Sequence, residues 1–448
     1  MGIFDYVRLK IGFRFYSRRQ IQAYQFKTIQ RNFALAQAKA PYYEALNDGK
    51  GLLSWGDFFR LPIMDKNILM NHFDEINTVG LKRTEVEAFA CDKETRKDYT
   101  GYYKDRYVVG LSSGTSGNKG LYLTDKALTK KLPFVFLARS GLSLKYLPFK
   151  IMFCLRVFSQ GFADINSPLI KLNYVSTMTP IDHVIREINR QKINILMAPP
   201  SFVRLLISHR EEIKSTFSCI VCYAEVLTKE EKEKFKTFFH CQVIEIYQAS
   251  EGQIASACKE GNLHINEDLV FVEMMDEKGQ VVDQSGVPGQ LVVTNLVNTI
   301  QPLFRYRMND WVVLKDSCPC GSHYRVLDHI IGRQDDVMMF MTNDHRLQHV
   351  FPDLISRWII TYSNDIREFK VIQSEANGMG LMIDCLSGMP SESFVEGLYD
   401  RLVKEFSAFD IQPQLKIFVT QITIPQDNSK YKRFEVRKAD HHELDLGS

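Results

Sequence analysis

Through the middle of the chain, short apolar runs alternate with amphipathic segments. The runs are Tyr107 to Leu111, Ile151 to Val157, Ile193 to Ala198, Cys219 to Tyr223 and Val243 to Tyr247. Runs of this length predict strands, and their alternation with helical stretches predicts a parallel sheet. The intervening Ile181 to Gln191, Ser201 to Glu212 and Thr228 to Phe239 read as crossover helices, with Ser201 and Thr228 as N-caps. The Lys/Glu run Lys229 to Lys236 reads as a solvated helix face with local ion pairs and no need of a partner.

Upstream, Ile21, Tyr24, Ile29, Phe33 and Ala36 stand at helical spacing, so residues 17 to 47 are expected to be helical. From about 262 to 315 the pattern becomes strands punctuated by Glu277-Lys-Gly279 and Val287-Pro-Gly289, which predicts a small antiparallel unit. Beyond 335, strand-like Phe369 to Gln373, Leu381 to Cys385 and Leu415 to Thr420 surround a helical stretch at Ser391 to Phe406, an α+β pattern. The expected class is α/β: a large N-terminal domain over 1–334, with an antiparallel subdomain at about 255–330, and a small α+β domain over 335–448. No internal repeat or low-complexity tract interrupts it.

At 448 residues the chain exceeds what one core usually serves, in keeping with that division. Fifty-six basic residues against 53 acidic give a net charge of +3, no whole-chain reason to expect nucleic acid. A run of about 18 apolar residues is missing, as is a secretory pattern at the N-terminus, so a soluble cytoplasmic protein is expected. Residues Ile3 to Arg19 mix Phe4, Val7, Ile11 and Phe15 with Arg8, Lys10, Arg14, Arg18 and Arg19. A helix packed on its own domain is the preferred reading there, ahead of peripheral contact with an anionic membrane surface.

Nine cysteines, an odd number in a long chain, argue for a reducing compartment over a disulfide framework. Most stand among apolar residues and read as core. Cys258, Cys318 and Cys320 do not: Cys258-x5-His264 and Cys318-Pro-Cys-Gly321 offer three thiolates and an imidazole, a common ligand set for tetrahedral zinc. Four protein ligands leave no open position, so such a zinc is structural; His323 is the reserve fourth ligand, and unlinked core cysteines are the competing reading.

The stretch Leu111-Ser-Ser-Gly-Thr-Ser-Gly-Asn-Lys-Gly120 holds three glycines, four hydroxyl residues and one lysine. Ser112, Ser113, Gly114, Thr115, Ser116, Gly117 and Lys119 suit a loop wrapped around a polyphosphate, with glycines letting N–H groups converge and hydroxyls and a cation adding donors. Lys119 is followed by Gly120, not Ser or Thr, so this is not the familiar P-loop. A flexible Ser/Gly turn is the alternative.

Together with this loop, Tyr247-Gln-Ala-Ser-Glu251, Tyr306-Arg-Met-Asn-Asp310, Gly332-Arg-Gln-Asp-Asp336 and Asn428-Ser-Lys430 follow in an order that resembles the adenylate-forming acyl-ligase superfamily. Pro199-Pro-Ser-Phe202, Tyr223-Ala-Glu225 and Cys318-Pro-Cys-Gly321 look most like its phenylacetate–coenzyme A ligase-like branch, relatives of deazaflavin-coenzyme adenylylating synthetases. The resemblance implies that ATP and a small carboxylic acid give an acyl-adenylate and pyrophosphate. The acyl group then passes to a thiol, most commonly coenzyme A. Amide formation, loading of a carrier protein, and a nucleotide-binding scaffold without turnover stand as alternatives. Aromatic residues among Phe134 to Ala138, Pro199 to Phe202 and Tyr247 to Gly252 point toward an aryl acid without fixing it.

By the same resemblance, Ser112 to Lys119 hold the β and γ phosphates, Glu251 carries magnesium, and Ala224, Glu225, Tyr247 and Ser250 border the nucleotide. Asp310 would bind both ribose hydroxyls. Arg333 is a catalytic candidate, Asp335 lies at the hinge before a rotating C-terminal domain, and Lys430 is the catalytic lysine with Lys432 as competitor. Gln248 and Asn309 depart from the family's usual glycines. Read from the residues alone, Glu251 is equally a surface carboxylate, Tyr247 a core residue, Asp310 a partner of Arg307, and Arg333 and Asp335 members of a buried salt bridge.

Overall fold

A computed structural model describes residues 2–96, 100–111, 120–155, 165–177, 179–333, 336–363, 365–375, 377–422 and 432–437. The phosphate-loop candidates Ser112 to Lys119, the hinge candidate Asp335 and the lysine candidate Lys430 lie outside the described residues.

The fold is mixed α/β. Four of the five apolar runs form parallel strands β3 (Phe149–Leu155), β5 (Ile195–Ala198), β6 (Cys219–Cys222) and β7 (Gln242–Ala249), joined at the edge by β4 (Ile170–Ser176), in the order β4-β3-β5-β6-β7. Every residue of β5 and β6 is buried, as expected for strands covered on both faces. From β7 the same sheet continues antiparallel through β8 (Gly252–Ala257), β9 (Leu263–Ile265), β13 (Val326–Arg333), β12 (Tyr306–Lys315), β11 (Pro288–Asn295) and β10 (Val270–Met275). The antiparallel unit expected from the turn pattern is therefore an extension of the parallel sheet.

The fifth run departs from expectation. Tyr107–Leu111 (β1) pairs antiparallel with Leu121–Asp125 (β2) in a sheet of its own. An apolar run reports burial, not the direction of its partner, and here the partner follows immediately after the glycine loop. Pro288 and Gly289 open β11, and the turn falls just before them at Ser285 and Gly286.

Two crossover helices, Ile181–Gln191 and Lys229–Phe239, match their expected bounds closely. Thr228 caps the second in a capping box with Glu231. Phe235 and Phe239 hold it to the core, each at about 2 kcal/mol, well above the roughly 0.3–0.5 kcal/mol of a surface ion pair. Ser201 is not an N-cap: Pro199 occupies that position, the helix spans Pro200–Ile207, and the Ser201 hydroxyl is turned to Glu225. Nor is the Lys/Glu run free of partners. Lys229 pairs with Asp328, Glu230 with Arg357, and Glu231 is buried against Arg204, because the helix lies between the sheet and the C-terminal part of the chain.

Helix α2 (Arg18–Lys39) starts at a Ser17/Gln20 capping box and buries Ile21, Ile29, Phe33 and Ala36. Gln25 and Asn32 on that face donate to the carbonyls of Glu267 and Leu296 at 2.9 Å, fixing the helix to the sheet. The C-terminal residues build a separate core: β14 (Met338–Met341) and β15 (Leu347–Val350) pair antiparallel, and β16 (Ile366–Gln373), β17 (Gly378–Cys385), β18 (Gln414–Val419) and β19 (Phe434–Val436) form a sheet in the order β18-β17-β16-β19, with helices Pro352–Ile360 and Glu392–Ser407.

Candidate functional site

Three of the motifs fall at the carboxyl ends of adjacent parallel strands: Pro199–Phe202 after β5, Tyr223–Glu225 after β6 and Tyr247–Glu251 at the end of β7. This is where an open α/β sheet leaves a crevice for ligands. Here the crevice is a cleft of about 2520 Å³, bordered by Ser201, Glu225, Tyr247, Glu251, Asp310 and Arg333.

β12 and β13 carry Asp310 and Arg333 opposite one another, and the Arg333 Nε lies 3.9 Å from Asp310 Oδ1. The Tyr247 hydroxyl donates to the other oxygen, Oδ2. Asp310 is thus aimed from both sides, and its cationic partner is Arg333, not Arg307. Tyr247 is buried with its ring in the core, so its two readings merge: the ring packs and the hydroxyl positions Asp310.

The β7–β8 hairpin turns at Ser250 and Glu251, with Ser250 exposed on the cleft. Gly252 is needed behind them, because its φ of 157° and a Cβ only 3.1 Å from Val270 would strain any other residue. The Glu251 carboxylate accepts from the Tyr122 hydroxyl at 2.7 Å, and Tyr306 in turn stands 3.2 Å from Tyr122. Burial pushes the Glu251 carboxyl up; the Tyr122 hydrogen bond opposes this, Asp310 adds to it, and Arg333 only partly relieves it. A carboxylate this short of positive charge suits a hard divalent cation. Tyr122 sits near the start of β2, which follows the glycine loop in sequence, so that strand is tied to Glu251.

Ala224 adopts a left-handed φ of 66° on the cleft surface. Its neighbour Glu225 accepts from the Ser201 hydroxyl at 2.7 Å and the Ser201 N–H at 3.0 Å, tying the ends of β5 and β6 together. Lys432 borders the cleft among the described residues, followed by Arg433.

Glu245, two residues before Tyr247, also borders the cleft. Burial pushes its carboxyl up to about 7, against a smaller downward pull from Lys232. A raised carboxyl adds stability that is complete below the ordinary 4.5 and is lost as pH rises through about 7. Glu245→Gln is therefore expected to melt above the parent at about pH 8 and to lose that advantage below about pH 5, read by thermal melts across pH. A gap independent of pH would refute the assignment.

Away from the cleft, Cys258, His264, Cys318 and Cys320 converge, all buried, with their ligand atoms within 4.8 Å of one another. Cys258 and Cys318 sulfurs lie 3.6 Å apart, and Cys320 Sγ is 3.4 Å from His264 Nε2. Ligands on a tetrahedral zinc sit roughly 3.5–3.8 Å apart, so the spacing fits. His264 Nδ1 is 3.0 Å from the Tyr324 carbonyl, which can only accept; Nδ1 carries the proton and Nε2 turns its lone pair to the thiols. His323 does not join the cluster.

One group at this level gave no sequence signal. Arg204, Glu231, Glu368 and Arg433 form a buried ionic cluster: Arg204 Nη2 lies 2.6 Å and Arg433 Nη2 2.9 Å from Glu368, with Glu231 bound by Arg204 and 3.4 Å from Arg433. It joins helices Pro200–Ile207 and Lys229–Phe239 to β16 and the residue before β19.

No protein-family model matches the chain. Protein CapK of Staphylococcus aureus is 26% identical over 180 residues, 39% of this chain and 37% of the relative. Among solved structures, 2-hydroxyisobutyryl-CoA ligase in its postadenylation state superposes with a TM-score of 0.72 at 15% identity, over 96% of this chain and 91% of that one. The same ligase in its thioesterification state gives 0.57 at 16% identity, over 96% and 92%. The anthranilate CoA ligase AuaEII gives 0.56 at 15% identity, over 73% of this chain and 66% of that one. The chain therefore has the fold of these adenylate-forming CoA ligases.

Proposed function

We propose that the chain is an ATP-dependent ligase that activates a carboxylic acid as its acyl-adenylate, releases pyrophosphate and passes the acyl group to the thiol of coenzyme A. The observation that carries this is the convergence on one cleft of Glu225, Tyr247 and Glu251, from the carboxyl ends of β6 and β7, with Asp310 and Arg333 from β12 and β13. Attack of a carboxylate on the α-phosphate brings two anions together, so cations and aligned donors must meet the developing charge. In this reading Ser112 to Lys119 grip the departing phosphates and Asp310 holds the ribose hydroxyls. Ala224, Glu225, Tyr247 and Ser250 border the nucleotide, and Lys430 bridges carboxylate and phosphate oxygens. Magnesium on Glu251 would supply a positive charge shared with the phosphate oxygens. Residues 335–448 form the lid, Asp335 lies at its hinge, and Arg333 works beside it.

ATP–pyrophosphate exchange with a panel of aryl and aliphatic acids tests the first step. Persistent silence across a broad panel would favour a nucleotide-binding scaffold. Product mass with coenzyme A or an amine as acceptor then separates thioester from amide formation.

The Cys/His cluster is proposed to bind one zinc that braces the antiparallel strands and does no chemistry. Protein prepared without chelators is expected to hold one zinc per chain; Cys318→Ser with Cys320→Ser should lose it and melt several degrees lower, by elemental analysis and calorimetry. A metal-free parent refutes the zinc.

A further inference from the structure

Helix α1 (Gly2–Phe15) is apolar on two opposite faces. Leu9 is 1% exposed and packs with Val135, Ala138 and Leu269. Arg139 donates to the Leu9 carbonyl at 3.0 Å, Ser322 to the Phe13 carbonyl at 2.7 Å, and Arg14 to the Cys320 carbonyl at 2.7 Å. The helix is thus held in one orientation, as the preferred sequence reading expects. That orientation leaves the other face outside: Phe4, Val7, Ile11 and Phe15 are 79, 43, 44 and 71% exposed. Steps of three, four and four residues place them in one stripe.

The charge around the stripe is equally one-sided. Residues 1–19 carry five basic side chains and one acidic, net +4 within a chain of net +3, so the remainder is net −1. Arg8, Lys10, Arg14 and Arg19 are exposed. Four side chains are far fewer than the roughly 20–30 residues a side of a stable protein interface. An apolar stripe flanked by cations matches a bilayer, whose acyl boundary takes the aromatic rings while anionic headgroups take the charges.

We propose that the outer face of α1 docks this protein on anionic phospholipid membranes. The helix lies along the surface; no helix among the described residues is long and apolar enough to cross a membrane.

Co-sedimentation of the full chain with phosphatidylcholine vesicles, with and without phosphatidylglycerol, tests this independently of any catalytic activity. Binding is expected only to the phosphatidylglycerol vesicles, weakening as salt rises. Phe4→Ser with Phe15→Ser should lower it at least about tenfold, and Lys10→Glu with Arg19→Glu should abolish it, both with unchanged thermal midpoints. No binding, equal binding to neutral vesicles, or variants that bind like the parent would overturn the proposal. Self-association that is lost in the Phe4/Phe15 variant without lipid binding would overturn it too, assigning the stripe to a second copy of the chain.

Discussion

Changing Asp310 to Ala is expected to lower ATP–pyrophosphate exchange by about 10²–10⁴-fold, mostly through ATP affinity. Each hydrogen bond from a ribose hydroxyl to a carboxylate contributes about 1.5–3 kcal/mol, and this carboxylate has an oxygen for each. Arg333 at 3.9 Å and the Tyr247 hydroxyl hold both oxygens toward the cleft, so little entropy is left to lose on binding. The geometry makes a second, smaller expectation that separates positioning from contact. Tyr247→Phe keeps the packed ring and removes only one constraint on Asp310, so exchange should fall about tenfold with the melt nearly unchanged. If Asp310→Ala kept exchange within about threefold of the parent, the ribose assignment and the nucleotide site built on it would fail together.

How much of this was legible beforehand follows from what each pattern encodes. β5 and β6 announce themselves because strands buried on both faces must be apolar throughout. β4 has no continuous apolar run to mark it: at the sheet edge Ile170-Lys-Leu-Asn-Tyr-Val-Ser176 carries the alternating pattern of a strand buried on one face. Tyr107–Leu111 was visible as a strand but not as half of a hairpin, because pairing direction is decided by the partner. The Cys/His set was readable from residue type alone, its ligands being rare residues in short spacings. Tyr122 was not, although it stands two residues beyond the glycine loop: nothing local marks a tyrosine whose acceptor, Glu251, is 129 positions away. Arg204, Glu231, Glu368 and Arg433 posed the same problem more severely, with separations of 164 and 202 residues, and the pattern of Glu231 belonged to a solvated helix until its neighbours came from elsewhere.

That cluster carries the second large expectation. Arg204 and Glu231 belong to the large sheet's helices, Glu368 and Arg433 to the C-terminal core, so each side contributes one cation and one anion. If residues 335–448 act as the proposed lid, parting them leaves two neutral pairs in water instead of stranded charges, as suits a latch that opens. Closed, the four charges satisfy one another in burial. Burial raises the Glu368 carboxyl, yet Arg204 and Arg433 more than reverse this and hold it below its ordinary value. The latch is therefore complete above the ordinary 4.5 and weakens as pH falls below it. Glu368→Ala leaves Arg433 buried with only Glu231, 3.4 Å away and already bound by Arg204. An unbalanced buried charge costs about 3 kcal/mol, so the closed-to-open ratio should fall by about 10²-fold, seen in small-angle scattering as a larger radius of gyration. Arg204→Met with Glu368→Met, which removes one cation and one anion together, should recover much of the compact form. Scattering profiles for Glu368→Ala that overlay the parent's at neutral pH would show that the two parts are held by other contacts, and the latch would be discarded.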